Sequence, residues 1–236
     1  MNKEEIWLLD EKYGGRQTEK FKKDLKRLQA GEPVDFVIGF KYFLGVRIDL
    51  SKRPLIPRPE TEFWVGEAIK QIGNVFDDRQ KRNLLILDIF SGSGCIGLAI
   101  VRHVKSARVV FADKVNKITA RKIKFVKSDV LKNIKGKFDY IFANPPYIPA
   151  GGKSKIQKSV LKYEPKMALF GGKDGLFYIR KFLKEAKNHL EPGGQIFMEF
   201  SSEQKREVEE IIKQNNYKNY KFHKDQFNKW RWVEIF

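Results

Sequence analysis

The stretch Phe138-Asp139-Tyr140-Ile141-Phe142-Ala143-Asn144-Pro145-Pro146-Tyr147 joins residues that could do chemistry to a backbone stiff enough to aim them. It begins as an apolar run rich in β-formers, which reads as a buried strand. It then stops on two prolines. Each proline fixes its own φ, lacks an N–H and pushes the residue before it out of the helical region. The strand end therefore presents the Asn144 carboxamide, the Pro145 carbonyl and the Tyr147 ring. An amide oxygen beside a backbone carbonyl suits a planar –NH₂ group with two protons to donate. An aromatic ring beside them packs on such a guest's flat face. The chemistry that fits is transfer of a small group to an amide or exocyclic amine nitrogen. The competing reading is a plain Pro-Pro turn, and the surrounding elements decide between the two.

Those elements read as an α/β chain. Two short helices are expected within residues 5–30, the second capped by Thr18, striped by Phe21, Leu25 and Leu28, and ended at Gly31. Residues 31–59 read as hairpin-like strands around Phe36–Phe43 and Val46–Leu50, followed by a Pro-stiffened segment through Pro57-Arg58-Pro59. Thr61 is placed to cap the next helix, whose buried face is Trp64, Val65, Ala68, Ile69 and Ile72. Strand Leu84–Ile89 runs into the turn Phe90-Ser91-Gly92-Ser93-Gly94, and a helix follows to about Val104. Strands are expected at Val109–Ala112, Ile123–Val126, Gln195–Phe200, Tyr220–Phe222 and Arg231–Phe236, with helices at Leu176–Leu190 and Ser202–Gln214. A lysine-bearing loop spans Ile148–Gly172, long enough to be functional. The division expected is 1–30 as a reduced helical segment, 31–59 as a hairpin linker and 60–236 as the main domain.

Strand, Gly-rich turn and helix form the opening unit of a nucleotide-cofactor domain. Glycines let backbone approach a ligand, and the helix N-terminus adds a positive dipole end. The spacing here is Asp-x-x-x-Gly-x-Gly from Asp88, without the Gly-Lys-Ser/Thr of a triphosphate loop. Asp113 ends the second strand, 19 residues past Gly94, about where an acidic residue reaches ribose hydroxyls. Asp129 ends the third strand. With Asn-Pro-Pro-Tyr on the fourth, this constellation resembles the S-adenosylmethionine-dependent methyltransferases of the seven-stranded class. The resemblance implies a Rossmann-like, mostly parallel sheet with an antiparallel last strand. It also implies cofactor contacts from Asp88, Phe90, Ser91, Gly92, Ser93 and Gly94 at the methionine moiety, Asp113 at the ribose, Asp129 with Val130 at the adenine, and Asn144. Cys95 reads as a small packing residue, not a nucleophile.

Within that superfamily the match narrows. Gly31-Glu32-Pro33-Val34, Leu55-Ile56-Pro57-Arg58-Pro59-Glu60-Thr61-Glu62, Asn144–Tyr147, Tyr163-Glu164-Pro165-x-x-Ala168-Leu169-x-Gly171-Gly172-x-Asp174-Gly175-Leu176, and Glu199 with Gln204 follow in order. Over about residues 31–236 the chain resembles the protein-glutamine methyltransferases, most closely the release-factor glutamine methyltransferases (the HemK/PrmC family). The implied activity is methylation of the glutamine in the Gly-Gly-Gln motif of class I peptide chain release factors. Asn144, Pro145, Pro146 and Tyr147 are then catalytic, and the same four with Arg58 and Glu60 meet the acceptor. The chain departs from the family pattern in four places: an N-terminal helical part of about 30 residues, a link after Asp113 too short for a helix, Phe90 where many members carry glycine, and Ser201 for another glycine. Gly193-Gly194-Gln195 repeats the acceptor tripeptide, which reads as coincidence in a turn entering a strand.

Composition narrows the classes further. A chain of 236 residues with 42% hydrophobic and 13% aromatic residues is folded, not disordered. It has no apolar run of spanning length and no signal-peptide core in residues 1–30. The single Cys95 excludes an internal disulfide framework and fits a reducing cytoplasm. His103, His189 and His223 are scattered without cysteine partners, so no metal site is expected. A monomer is expected. Net charge is +18, and Arg102 to Lys137 holds twelve Lys or Arg against Asp113 and Asp129. That run reads equally as a footprint for RNA, a ribosomal surface or an acidic partner, or as a solvated face. The charge keeps open a second function, methylation of an exocyclic amine of adenine or guanine in RNA or DNA. A non-catalytic binding module is a third, opposed by intact Asn144–Tyr147 and Asp113.

Overall fold

The computed structural model describes residues 1–75, 83–120 and 122–236. Helix α1 (Lys3–Tyr13) starts with a capping box in which Asn2 and Glu5 satisfy each other's backbone N–H, and it ends on Gly14 in the left-handed region. Helix α2 (Glu19–Gln29) is capped by Thr18, as its sequence predicts. With α3 (Val34–Ile38), these helices bury Leu8, Phe21, Leu28, Val34, Val37 and Ile38 together. Asp24 ties the unit by accepting from Lys12, Tyr13 and Arg27, each at 2.7 Å.

A two-stranded hairpin of β1 (Phe40–Phe43) and β2 (Val46–Asp49) leads to α4 (Pro59–Val75). The main sheet then takes up β3 (Leu84–Ile89), β4 (Ala107–Asp113), β5 (Lys124–Lys127), β6 (Phe138–Ala143), β7 (Leu190–Glu199), β8 (Tyr220–Lys224) and β9 (Trp230–Ile235). Its seven strands run in the order β5-β4-β3-β6-β7-β9-β8. Strands β3 to β7 are parallel, and β9 is antiparallel to both of its neighbours. Helix α5 (Cys95–His103) follows β3, α6 (Lys158–Tyr163) lies in the link after β6, and α7 (Phe177–Ala186) and α8 (Lys205–Gln214) flank β7 in sequence.

The pleat sorts the core into two layers. Leu87, Ile89, Ile141, Ala143, Ile196 and Met198 join α7 and α8 on one face. Ile86, Phe142, Phe197 and Trp232 join α4 and α5 on the other. The chain leaves β3 toward β4 on one side and reaches β6 on the other, so the strand order reverses between β3 and β6. Ile89 pairs with Ala143 there. The glycine turn after β3 and Asn144 after β6 therefore emerge side by side at the switch point, where open α/β sheets bind ligands.

Four local expectations are corrected. The start of the strand expected at Phe36–Phe43 is instead the end of helix α3, because Pro33 sets the entry, Asp35 favours the first turn and Gly39 at φ 96° ends it, and the strand begins at Phe40. Helix α4 already starts at Pro59, so Thr61 is no cap; its hydroxyl turns inward to Glu199. The segment 148–172 is broken by α6 and two short 3₁₀ turns. Strand β7 begins at Leu190, running through Pro192-Gly193-Gly194 with a register shift against β6. A Cβ on Gly194 would come within 2.9 Å of the carbonyls of Glu191 and Phe138. That glycine allows strand contact, which accounts for the Gly-Gly-Gln tripeptide in sheet terms.

The short link after Asp113 is closed by one side chain in place of a helix. Ile118 is buried, and a Cβ on Gly94 would lie 2.9 Å from it. Lys52 donates to the Ile118 carbonyl at 2.8 Å and ties the link to the segment after β2.

Candidate active site

The turn after β3 is built on left-handed backbone: Phe90 at φ 59°, Gly92 at 50° and Gly94 at 80°. A phenylalanine there is strained, and packing holds it, with Phe90 edge-on to Tyr178 and Phe182 at 6.0 and 6.2 Å between ring centroids. Gly94 starts α5 with no side-chain cap. Asp88 supplies a substitute from the strand, its Oδ2 accepting from the Gly97 N–H at 2.9 Å. Burial pushes the Asp88 carboxyl up to about 7, against the pull of that backbone bond. Oδ1 of Asp88 and the Ser91 hydroxyl are buried without a partner among the described residues.

Asp113 ends β4 facing this turn and accepts from the Gly92 N–H at 2.9 Å. Burial raises its pKa, opposed by the backbone N–H groups around it. Beyond it, Val130 sits at φ 53°, a strained value for a β-branched residue. Ser128 holds it there: its Oγ donates to the Val130 carbonyl at 2.6 Å and accepts from the Asn133 N–H at 3.1 Å.

These groups line one cleft of about 840 Å³, open mouth included. Its walls include Phe90, Ser91, Gly92, Ser93, Asp113, Val130, Pro146, Arg58 and Asn144, closed on one side by Tyr178. Gly94 shapes the turn. Asp88 lies behind it, outside the lining, and so does Asp129. The Asp129 carboxylate is held by Lys114 at 2.9 Å and Lys181 at 2.6 Å, and hydrogen bonds from these lysines, Lys181 first, hold its pKa down.

A second cleft opens beside the first, lined by Pro145, Tyr147, Ile148, Ile156, Val160, Leu169 and Glu199. The two clefts share Leu55, Arg58, Asn144 and Ala168. Arg58 is fixed by Glu164, which accepts from its guanidinium at 2.7 Å and from the Ile56 N–H at 3.0 Å. Glu60 stands at the start of α4, outside both linings.

Behind Asn144 lies a buried polar cluster. Glu199, 1% exposed, accepts from the Thr61 hydroxyl at 2.7 Å, the Trp64 indole N–H at 2.6 Å and the Tyr147 hydroxyl at 3.0 Å. Thr61 Oγ accepts from Asn144 Nδ2 at 3.2 Å. Burial pushes both the Glu199 carboxyl and the Tyr147 phenol up. The Pro145 carbonyl accepts no hydrogen bond among the described residues. The Tyr147 carbonyl is taken by Gln204 Nε2 at 3.0 Å.

Residues 72–167 match the family described as methyltransferase small domain. The chain is 33% identical over 221 residues to the release factor glutamine methyltransferase of Lactococcus lactis subsp. lactis (strain IL1403), covering 89% of this chain and 79% of that protein. It is 32% identical over 242 residues to the release factor glutamine methyltransferase of Streptococcus pneumoniae (strain ATCC BAA-255 / R6), covering 98% and 84%. The chain belongs to the release factor glutamine methyltransferase family. Among solved structures, the hMettl16 catalytic domain in complex with MAT2A 3′UTR hairpin 6 superposes with a TM-score of 0.58 at 14% identity, covering 82% of this chain and 76% of that one. The E. cuniculi Mtq2–Trm112 complex gives 0.52 at 17% identity, covering 76% and 95%. At such identities the likeness is one of fold.

Methyltransferases of this family use S-adenosylmethionine, and the first cleft fits it. The partnerless Ser91 hydroxyl lines this cleft within the glycine turn and is placed to meet a polar group of a bound ligand. The Asp113 carboxylate is available to a ribose diol, and Ile89, Ile96, Ala112 and Val130 provide apolar walls. The sequence-predicted residues Phe90 to Ser93, Asp113, Val130, Asn144 and Arg58 converge on this cleft; Pro145 and Tyr147 face the second. Sequence reasoning missed the parts played by Thr61, Trp64 and Tyr178. For Glu199 a signal existed, an acid inside the apolar run Ile196-Phe197-Met198-Glu199-Phe200. Such an acid is buried with partners or not at all. Tyr178 had no such signal.

Proposed function

We propose that this chain transfers a methyl group from S-adenosylmethionine to the side-chain amide nitrogen of the glutamine in the Gly-Gly-Gln motif of class I peptide chain release factors. The observation that carries the reading is the meeting of two clefts on Asn144 and Arg58, one fitting the cofactor and the other opening on Pro145 and Tyr147. The family supplies the acceptor's identity: both relatives described above are named release factor glutamine methyltransferases.

A carboxamide nitrogen is a poor nucleophile, because its lone pair is delocalised into its carbonyl. The cofactor, when bound, supplies a methyl already activated as a sulfonium. The residues therefore have to align the nitrogen and draw its lone pair back onto it. The Asn144 Oδ1 and Pro145 carbonyl accept the two amide protons, and Tyr147 walls the second cleft beside them. Both hydrogen bonds strengthen as positive charge develops on the nitrogen, which favours the transition state over the bound substrate. Alignment of this kind accounts for up to roughly 7–11 kcal/mol of barrier. No strong base is needed, since the alkylated nitrogen is very acidic. Glycines flanking the acceptor glutamine allow it into a narrow cleft. Arg58 stands between the two clefts, and Glu60 stands next to it on α4 as a contact for the incoming chain. The enzyme acts as a monomer in the cytoplasm, where release factors work.

The deciding experiment offers a recombinant class I release factor and total RNA in parallel and reads both by mass spectrometry. One added methyl on the Gly-Gly-Gln glutamine is expected. An unmodified glutamine beside methylated RNA overturns the reading in favour of a nucleic-acid amine methyltransferase. Asn144→Ala should lower turnover by roughly a hundred-fold or more with little change in cofactor affinity. Asn144→Asp should fall between, because it keeps an acceptor but adds a charge.

A further inference from the structure

We propose that Thr61 is a positioning residue: with its proton committed to Glu199, it determines which edge of the Asn144 carboxamide faces the acceptor. This rests on the glutamine methyltransferase reading and deepens it.

The two edges of an asparagine amide are nearly the same size and opposite in polarity. Shape alone cannot hold Asn144 with its oxygen toward the acceptor. A flipped amide would aim donors at the donors of the substrate –NH₂ and block it. The orientation has to come from hydrogen-bond direction, and the cluster behind Asn144 supplies it.

Glu199 ends β7 fully enclosed, and its Oε2 takes both the Trp64 indole N–H and the Thr61 hydroxyl. Around it stand an indole N–H at 2.6 Å, which can only donate, and the hydroxyls of Thr61 at 2.7 Å and Tyr147 at 3.0 Å. With the indole on it, Oε2 is the accepting oxygen whichever charge the burial-raised carboxyl carries, so the one proton of the Thr61 hydroxyl goes to Glu199. Thr61 Oγ is left with lone pairs alone. The Asn144 edge 3.2 Å away must then be the –NH₂ edge, which leaves Oδ1 on the side of the clefts. The other oxygen of the same carboxyl, Oε1, meets the Tyr147 hydroxyl at 3.0 Å, so one buried group stands behind both side chains at the acceptor end. A merely structural role for Thr61, tying α4 to β7, predicts a different pattern on substitution.

The test compares Thr61→Val, which keeps shape and removes the hydroxyl, with Thr61→Ser, which restores it. Thr61→Ala serves if Thr61→Val does not fold. Each is made in the parent chain and in Asn144→Ala, and turnover on a release factor is read with cofactor affinity by calorimetry and thermal stability. Thr61→Val should lower kcat roughly ten-fold, the scale of one neutral hydrogen bond's preference, at unchanged cofactor affinity. Thr61→Ser should stay near the parent, and in Asn144→Ala the loss of the Thr61 hydroxyl should add nothing. Independently, the Asn144 side-chain NH₂ resonance, assigned by its absence in Asn144→Ala, should exchange slowly with solvent in the parent and in Thr61→Ser. It should exchange faster in Thr61→Val. Full turnover in Thr61→Val, an equal loss in the Asn144→Ala background, or unchanged exchange would each overturn the proposal. A parent that methylates no glutamine defeats the functional reading instead, and the exchange measurement still decides the hydrogen bond.

Discussion

At the scale of single residues, Asp113 carries the most direct cofactor prediction. Its carboxylate lines the cleft, accepts the Gly92 N–H and has its pKa raised, by burial first. Removing it in Asp113→Ala should weaken S-adenosylmethionine binding by roughly ten- to hundred-fold, since hydrogen bonds to charged groups contribute about 1.5–3 kcal/mol. Ribose hydroxyls donating to the carboxylate favour its ionised form. The free protein protonates Asp113 at a higher pH than an ordinary aspartate, so at low pH ligand binding has to displace that proton. Affinity should therefore fall as pH drops through the raised value, and Asp113→Asn should remove that acid limb. Calorimetry across the acid range reads both effects, and an unchanged affinity in Asp113→Ala would move the ribose contact elsewhere.

At the scale of elements, the Asn-Pro-Pro-Tyr turn is packed against the backbone at Gly171 and Gly175. A Cβ on Gly175, at φ 81°, would collide with the Tyr147 carbonyl and lie 2.6 Å from Gln204 Nε2. One on Gly171 would meet the Pro146 carbonyl. These glycines are places where one backbone lies on another, and the prolines of the turn cannot yield. Gly175→Ala should destabilise by roughly 2–5 kcal/mol, the left-handed backbone cost plus that of overpacking, and reduce turnover more than cofactor affinity, because it displaces the acceptor end first. Gly193→Ala is the control. It has a similar φ of 77° but open space around the Cβ, so it should lose only about 1–2 kcal/mol from the left-handed backbone and keep its turnover. Equal effects in the two variants, by thermal melts and rates, would remove the close contact as the cause.

At the scale of the whole molecule, the question is what the net charge of +18 does. The basic run from Arg102 maps largely onto β4, β5 and the turns beside them, with Arg108, Lys122, Lys124, Lys127, Lys132, Lys135 and Lys137 exposed; Arg121 lies outside the described residues. Strand β5 is an edge of the sheet. Lysines on an exposed edge keep it from pairing with other chains, which explains Lys124 and Lys127 without a partner. If the surface also binds RNA or a ribosomal face, that affinity should fall steeply and linearly in log–log terms between about 50 and 200 mM salt. Cofactor affinity should change far less. Binding that is flat with salt, or absent, leaves edge protection as the role of these residues. Among the described residues no helix is long and apolar enough to cross a membrane.

Much of this was legible in the order of residues, for physical reasons that differ by element. The buried parallel strands announce themselves because both faces are covered, so Leu84–Ile89 and Phe138–Ala143 are apolar at every position but Asp88 and Asp139. The functional turns announce themselves because glycine and proline restrict backbone locally, which made the Phe90–Gly94 turn and Asn144–Tyr147 readable without knowing what surrounds them. Residues 36–38 misled because a short apolar run fits either helix or strand until its ends are weighed. What only the tertiary structure decided are contacts between parts distant in the chain. Thr61 looked like a helix cap, and only the arrival of Glu199, 138 residues later, turns its hydroxyl inward. The link after Asp113 was read only as too short for a helix, and only the nearness of Gly94 makes Ile118 the side chain that closes it. Asp129 looked free to meet the adenine, yet Lys114 and Lys181 hold its carboxylate. Local sequence determines where a backbone must bend or stay buried; which proton faces which lone pair is set by residues that meet only after folding.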